Sequence, residues 1–580
     1  MFALLESENR LEQSAGWKDA AMRLLYSSCD CEGCGTLAAY HTERFVLHLW
    51  GRCLLRNDQG EHLTLRPEEF VSLFCTEGLT AFDRLEGQFA VALYDTREHK
   101  IYLARDSFGT YQLYHARGIG WIAYADTMPC LMGVRGFSRD IDPAAVSYFL
   151  REGWAPPFTT FLAAVRPVRP GHLEVLTITS EHIRKLPPRP DDYRRRQRRS
   201  RPADLLSLLR QSVRDCGPAD GQRIGISLSG GIDSAAVVAL LSEAFPNTKL
   251  NSYTVGFGED DPEIQGARAT AAHFKTHHHE LILTPHDIEG LIEETVEVLG
   301  NPGGYDELPC LHALWKNAAR EVDLLYSGNV SDAIFSGMST HWRLWKARRL
   351  GPFSLLFARA TATQRGYHHV TDASVDPCVL NQTPEREFRH WASSARTQFE
   401  ALASDLSAWD ERTGAQTTLA RHHGLEMRLP FAQRYLIDFA LRTNDRDKVN
   451  MLGVKRILRR ALAPVLPTSI TRRKKGLQHL RYDTAMQQLM IKLCERYLSL
   501  ERVTARGLLN PRSTERLMAQ IRQEITPTNF RFAWNAVLFE IWCQRILDPS
   551  PNAKGPLDLQ PSMNGPNHLP GLSAATGGAL

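Results

Sequence analysis

Short apolar runs broken by turn residues fill the chain up to about Leu186. In FAVALYD (89–95), KIYLARD (100–106) and WIAYAD (121–126), alternation and aromatic content predict strands, so this half reads as β-rich. The period changes from Asp204 onward. LLSLLRQSV (205–213) and AAVVALLSEAF (235–245) follow a helical period and alternate with the short apolar strands IGISL (224–228), LNSYTVGF (250–257) and DLLYSG (323–328). That alternation predicts a parallel sheet covered by helices. Helix formers dominate after about Glu385, and the segment 548–580, rich in Pro, Gly, Ser and Asn, is predicted to be a disordered tail. Between the halves, PPRPDDYRRRQRRSRP (187–202) joins prolines to a dense arginine run and reads as an exposed connection. The expected division is a β-rich domain over 1–190, an Arg/Pro-rich linker over 191–203, an α/β domain over 204–547 and a tail over 548–580. No repeat at solenoid or propeller period is visible.

Composition narrows the class. A chain of 580 residues with 43% hydrophobic and 23% charged positions is that of a globular protein with two or three domains, which excludes fibrous and wholly disordered classes. A net charge of +4 is too small for this length to announce nucleic acid or an anionic membrane as partner. The start MFALL runs into Glu6 and Glu8 without a basic flank or cleavage site, and no stretch reaches the roughly 18 apolar residues of a membrane helix. A cytoplasmic protein is expected. The odd count of 11 cysteines reads as reduced thiols, and the cluster Cys29, Cys31 and Cys34 lacks the fourth ligand of a structural zinc site.

The chemistry concentrates in Ser227–Ser234, SLSGGIDS. An apolar run leads into Ser229, Gly230 and Gly231, and a helix follows at once, so a glycine turn stands at a strand end and a helix N-terminus. Two glycines admit an oxygen-rich ligand close to the backbone, hydroxyls and N–H groups donate to phosphate, and Asp233 offers a hard oxygen to magnesium. A nucleotide is implied. The lysine of GxxxxGK[ST] is absent, and Gly225-Ile226-Ser227-Leu228-Ser229 does not make GxSxG, so neither a Walker A loop nor a nucleophile elbow fits.

SGGIDS resembles the pyrophosphate loop of the N-type ATP pyrophosphatases, in particular the synthetase domain of asparagine synthetase-like enzymes. Four further segments share the resemblance: TVGF with Val255, SGNVSDAIFSG (327–337), GLEMRLPF (424–431), and KRILRRAL with Lys455 followed by RRKKGL. It covers roughly 204–545, and in the first half LEGQFAVALYD (85–95) and YLARDSFGTYQLYHA (102–116) resemble the glutamine amidotransferase domain of the same enzymes. The fold this implies is an N-terminal αββα (Ntn) amidotransferase-like domain and a C-terminal doubly wound parallel-sheet ATP-pyrophosphatase domain. The residues it implies for ATP are Leu228, Ser229, Gly230, Gly231, Asp233, Ser234, Val255, Ser327 and Gly328. Asp233 and Asp332 are implied for Mg²⁺, and Lys455 as the catalytic group that stabilises charge on pyrophosphate and on the tetrahedral intermediate.

Two departures from the family pattern matter. Glutamine hydrolysis there needs a cysteine exposed by removal of Met1, whereas Phe2 stands at that position and the nearest cysteine is Cys29. A chain that keeps the ATP loop but cannot release ammonia resembles the branch that joins an amine already on the substrate: β-lactam synthetases and, most of all, lasso-peptide macrolactam synthetases. The second departure is Asn329, where asparagine synthetases carry Glu; an amide is no strong base, so Asn329 is expected to position a substrate amine and the base is unassigned, with Glu426, His422 and His423 as weak candidates. The insertion from about Ser339 to Glu400, rich in Trp, Arg and His, is expected on the substrate side. The chemistry implied is adenylation of an Asp or Glu side chain of a precursor peptide and ring closure by its N-terminal amine, with a leader-binding protein and a leader peptidase as partners. A β-lactam synthetase-like cyclisation, a glutamine-independent asparagine synthetase-like amidation, a tRNA-modifying pyrophosphatase using Arg194–Arg201, and a non-catalytic scaffold are the alternatives.

Overall fold

Alternate side chains of one strand account for the architecture of the first half. Phe89, Val91 and Leu93 pack with Phe70, Phe74 and Phe82, while Ala90, Ala92 and Tyr94 pack with Trp50, Ile122 and Tyr124. A strand covered on both faces has no polar face, hence the unbroken apolar run of FAVALYD. The computed structural model describes residues 2–7, 22–27, 38–57, 62–134, 136–188, 193, 197–338, 341–342, 344–346, 402, 410–451, 453–473 and 482–548. The cysteine cluster at 29–34, nearly all of the insertion, and the tail beyond Asp548 lie outside the described residues.

The strands of the first half are β1 (Phe2–Ser7), β2 (Met22–Ser27), β3 (Ala38–His41), β4 (Phe45–Arg56), β5 (His62–Thr64), β6 (Leu85–Asp95), β7 (Lys100–Arg105), β8 (Tyr114–Gly118), β9 (Trp121–Ala125), β10 (Val165–Pro167), β11 (His172–Leu176) and β12 (Glu181–Lys185). They form two sheets, β10-β8-β9-β1-β2 and β12-β11-β7-β6-β4-β3, the latter with β5 beside β4. Helix α1 (Pro67–Glu77) covers the outer face of the second sheet, and α2 (Met128–Met132) and α3 (Pro143–Glu152) that of the first, giving the αββα order. The RD pair of KIYLARD is structural. Arg105, fully buried, donates to the carbonyls of Gly109, Tyr111 and Val168 at 2.7–2.8 Å, and Asp106 accepts from the N–H groups of Phe89, Phe108 and Thr110. A buried ion survives only when fully hydrogen-bonded, so the turn after β7 is pinned by its own charges.

The second half is a parallel sheet of β13 (Ile224–Ser227), β14 (Leu250–Gly256), β15 (His277–Ile282), β16 (Leu324–Ser327) and β17 (Glu426–Arg428), in the order β15-β14-β13-β16-β17. Its helices include α4 (Pro202–Asp215), α5 (Ile232–Ala244), α6 (Pro262–Phe274), α7 (Pro285–Leu299), α8 (Leu308–Ala318), α9 (Ser331–Ile334), α10 (Asp410–His422), α11 (Arg434–Arg442), α12 (Asp445–Lys448) and α13 (Arg456–Leu462). Helix α5 is buried from Ile232 to Leu241 on every side, which is why AAVVALL carries no polar stripe. The strand order reverses between β13 and β16. In doubly wound sheets the connections leave such a point in opposite directions and open a crevice at the carboxyl ends of the two strands.

The two halves share one continuous apolar cluster that runs from Phe108 to Leu547. Polar ties cross it as well: the Asn535 amide donates to the carbonyls of Phe149 and Leu150 at 3.0 and 3.1 Å, and Gln88 Oε1 accepts from Leu429 N–H at 3.0 Å. The described end of the arginine-rich connection is exposed in its side chains and held through its backbone. Its backbone docks on the end of α11, with Arg198 N–H on Arg442 O at 2.7 Å and Asn444 N–H on Arg198 O at 2.9 Å, while the side chains of Arg198 and Arg199 stay exposed. A backbone can bridge to a neighbouring turn whatever its side chains carry, and composition does not register that.

Candidate active site

The crevice lies between the loop after β13 and the loop after β16. Ser229 and Ser234 close the first loop on itself: Ser234 Oγ accepts from Ser229 N–H at 3.1 Å and lies 3.0 Å from Ser229 O, and the Ser229 and Ser234 hydroxyls are 3.1 Å apart. Gly231 caps α5, so the first-turn N–H groups of that helix open into the crevice beside Asp233. The two loops touch through glycine. A Cβ on Gly328 would stand 2.7 Å from the backbone of Asp233 and Ser234, so a side chain there would push the loops apart. Leu228 and Val255 are buried at the carboxyl ends of β13 and β14, and Ser327 Oγ accepts from Asn329 N–H at 3.2 Å. The structure thus brings all nine residues expected at the nucleotide to one end of the sheet.

Three charges converge there. Lys455 Nζ lies 2.5 Å from Asp233 Oδ2 and 2.6 Å from Asp332 Oδ1, and Ser331 Oγ donates to Asp233 Oδ1 at 2.6 Å. Lys455 is not a solvated residue on a helix face. It precedes α13 in a left-handed conformation (φ 55°) and is 3% exposed, with its four-carbon stem drawn into the interior. Gly337 makes room for it, since a Cβ there would lie 2.0 Å from Asp332 Oδ1 and 2.1 Å from Lys455 Cε. Two carboxylates from separate loops within reach of one cation suit a hard divalent ion that favours oxygen ligands. The residues present fit Mg²⁺ held by Asp233 and Asp332.

Several groups at the site have little or no signal in the sequence. Glu263 Oε2 accepts from Gly230 N–H at 2.9 Å, and Arg473 donates to the carbonyls of Gly266 and Gly230 at 2.6 and 3.3 Å, so both clamp the loop from outside. Arg473 stands in the RRKKGL segment; Glu263 offers no pattern at all. On the other side, the Asn329 amide donates to Gln416 Oε1, Gln416 Nε2 donates to Glu307 Oε1 at 3.2 Å, and Arg412 pairs with Glu307 at 2.6 Å. Asn329 is therefore held by an amide from α10. The base candidates stand elsewhere: Glu426 pairs with Arg428 at 2.7 Å within β17, and His422 and His423 pack against His312 at the end of α10.

Position 2 of the first domain lies within β1, where Phe2 pairs with Ser27 and Ala125. Among the described residues this domain holds three cysteines, Cys53, Cys75 and Cys130, and burial pushes the Cys53 thiol far above its usual range.

The asparagine synthase family matches residues 204–544, and the glutamine amidotransferase domain family matches residues 66–186. The chain belongs to the asparagine synthase family, whose members are ATP-dependent carbon–nitrogen ligases. It is 26% identical over 446 residues to a Mycobacterium bovis protein named as a glutamine-hydrolyzing asparagine synthetase, covering 69% of this chain and 67% of that one. It is also 23% identical over 506 residues to the glutamine-hydrolyzing asparagine synthetase 1 of Bacillus subtilis, covering 77% and 78% of the two chains. Among the described residues no helix is long and apolar enough to cross a membrane.

Proposed function

We propose that this chain activates a carboxylate with ATP and joins it to an amine carried by the same substrate, closing the macrolactam ring of a precursor peptide and releasing AMP and pyrophosphate. One observation carries the reading: the Asp233–Lys455–Asp332 cluster is complete beside the Ser229–Ser234 loop. The loop Ser229–Ser234 holds phosphate oxygens through backbone and hydroxyl donors, and Lys455 supplies positive charge where negative charge develops. Mg²⁺, when bound by Asp233 and Asp332, screens the phosphate charges. Because the amine is tethered to the activated carboxylate, the pocket has only to fold the chain into an attacking geometry.

Trp154, Tyr305, Glu307, Tyr482, Phe530 and Trp534 line a small cleft that the Glu307–Gln416–Asn329 chain ties to the loop after β16, and its aromatic walls suit the side chains of a peptide. A leader-binding protein and a leader peptidase are the partners such a substrate requires. The relatives' names favour a second reading, amidation of aspartate. One experiment separates the two: the protein is incubated with MgATP and either a peptide with a free N-terminus and an internal Asp or Glu, or aspartate with ammonia. Pyrophosphate release with a peptide product lighter by one water supports the cyclase; asparagine in the second reaction supports the amidation.

A further inference from the structure

A second polar cluster stands apart from the nucleotide loop, where α7, α8 and the end of α10 meet. Ring nitrogens of His312, His422 and His423 lie within 4.8 Å of one another, and Glu294 Oε1 is 3.5 Å from His312 Nε2. The protons there can be placed. Thr295 Oγ1 donates to Leu291 O at 2.7 Å, so towards His312 Nδ1, 3.1 Å away, it accepts. The His312 proton is thereby on Nδ1, and Nε2 turns a lone pair towards the Glu294 carboxylate. His312 is fully buried, and neither its Nε2 nor the buried His423 Nε2 has a hydrogen-bond partner among the described residues. Two buried ring nitrogens without a partner, beside a half-exposed carboxylate, offer a donor set to a cation. Lys316 Nζ, 3.3 Å from Glu294 Oε1, neutralises that carboxylate from the solvent side.

We propose that His312, His422 and His423, with Glu294 as fourth donor, bind a structural zinc ion. Three imidazoles and one carboxylate are a zinc set, whereas calcium and magnesium take oxygen shells. Tetrahedral zinc at about 2.0–2.1 Å from nitrogen would draw the ligand atoms to about 3.3 Å from one another, a contraction within reach of side chains at a helix end. Thr295 already holds the His312 ring as an outer partner does in metal sites. Such an ion would fasten α10, the helix that carries Arg412 and Gln416, to α7 and α8.

The test is zinc titration of the full chain after chelation, read by calorimetry and by melting temperature. Wild type should bind one equivalent at this site and melt higher with zinc; the double variant His422→Ala, His423→Ala should lose that equivalent and that shift. Glu294→Gln, at a half-exposed position, should bind zinc about 10–100-fold more weakly while keeping the fold. Cobalt in place of zinc should show ligand-field bands without thiolate charge transfer, which separates this site from Cys29, Cys31 and Cys34. Absence of zinc binding by wild type, or undiminished binding in both variants, would overturn the proposal; the second result would direct attention to His277, His279 and Glu321, the other histidine-bearing clusters or the cysteines.

Discussion

The Lys455 ammonium and the Asp233 carboxylate, 222 residues apart in the chain, meet at 2.5 Å, and Asp332 closes on the same nitrogen. A lysine buried between two carboxylates is at once a structural counter-ion and a charge available to the reaction, and its removal should show in both. Lys455→Ala should lower amide formation by about 10²–10³, the magnitude of one lost charge-stabilising donor. It should also destabilise the fold by a few kcal/mol, about 3–5 where a buried charge loses its partner. Added Mg²⁺ should restore part of the melting temperature and none of the rate. A rate within a fewfold of wild type would return Lys455 to a structural role.

Asp233→Asn and Asp332→Asn should each abolish pyrophosphate release while the circular dichroism spectrum stays that of wild type, since each removes one hard anionic oxygen from the proposed magnesium site. Near wild-type release by the Asp332 variant would separate the loop after β16 from the nucleotide.

Glutamine should be inert. Cys53 and Cys130 of the first domain are buried, so purified protein should form no glutamate from glutamine above a heat-killed control. Measurable turnover would mean that another thiol serves as the nucleophile.

Gly328→Ala should weaken ATP binding, because its Cβ would meet backbone atoms of Asp233 and Ser234 at 2.7 Å and the loops must separate. Overpacking of this kind costs about 1–3 kcal/mol, so the dissociation constant for ATP should rise about tenfold or more. Gly290→Ala, at a position where a Cβ meets nothing within 4 Å, is the control and should bind ATP as wild type does.

Stability should fall on acidification. Burial lowers the pKa of His48 to about 3 and that of His423 to about 4, while the same groups titrate near 6.5 in the unfolded chain. The unfolded state therefore binds more protons below about pH 6.5, and stability is lost from there down towards pH 4. Urea midpoints at pH 7 and pH 5, measured with chelator, should differ in that direction; equal midpoints would mean that these rings are charged in the folded state.

The readable features were those confined to a few consecutive residues. Strands β6, β7, β9, β13, β14 and β16 stand where the runs of FAVALYD, KIYLARD, WIAYAD, IGISL, LNSYTVGF and DLLYSG placed them, because apolar period and turn residues act within one element. The SGGIDS turn was legible for the same reason: strand, glycines and helix N-terminus follow each other directly. Contacts between segments far apart in the chain were not. KRILRRAL reads equally well as an amphipathic helix with Lys455 in solvent, and only the return of the chain to the crevice, with Gly337 leaving room, sets that ammonium between Asp233 and Asp332. Glu263, Arg473 and Gln416 likewise acquire their partners from helices packed against the loops, and His312 meets His422 and His423 only because α8 and the end of α10 are neighbours. Local chemistry declares the phosphate loop; the charge that serves it and the groups that hold it come from contacts between distant segments, which no local pattern encodes.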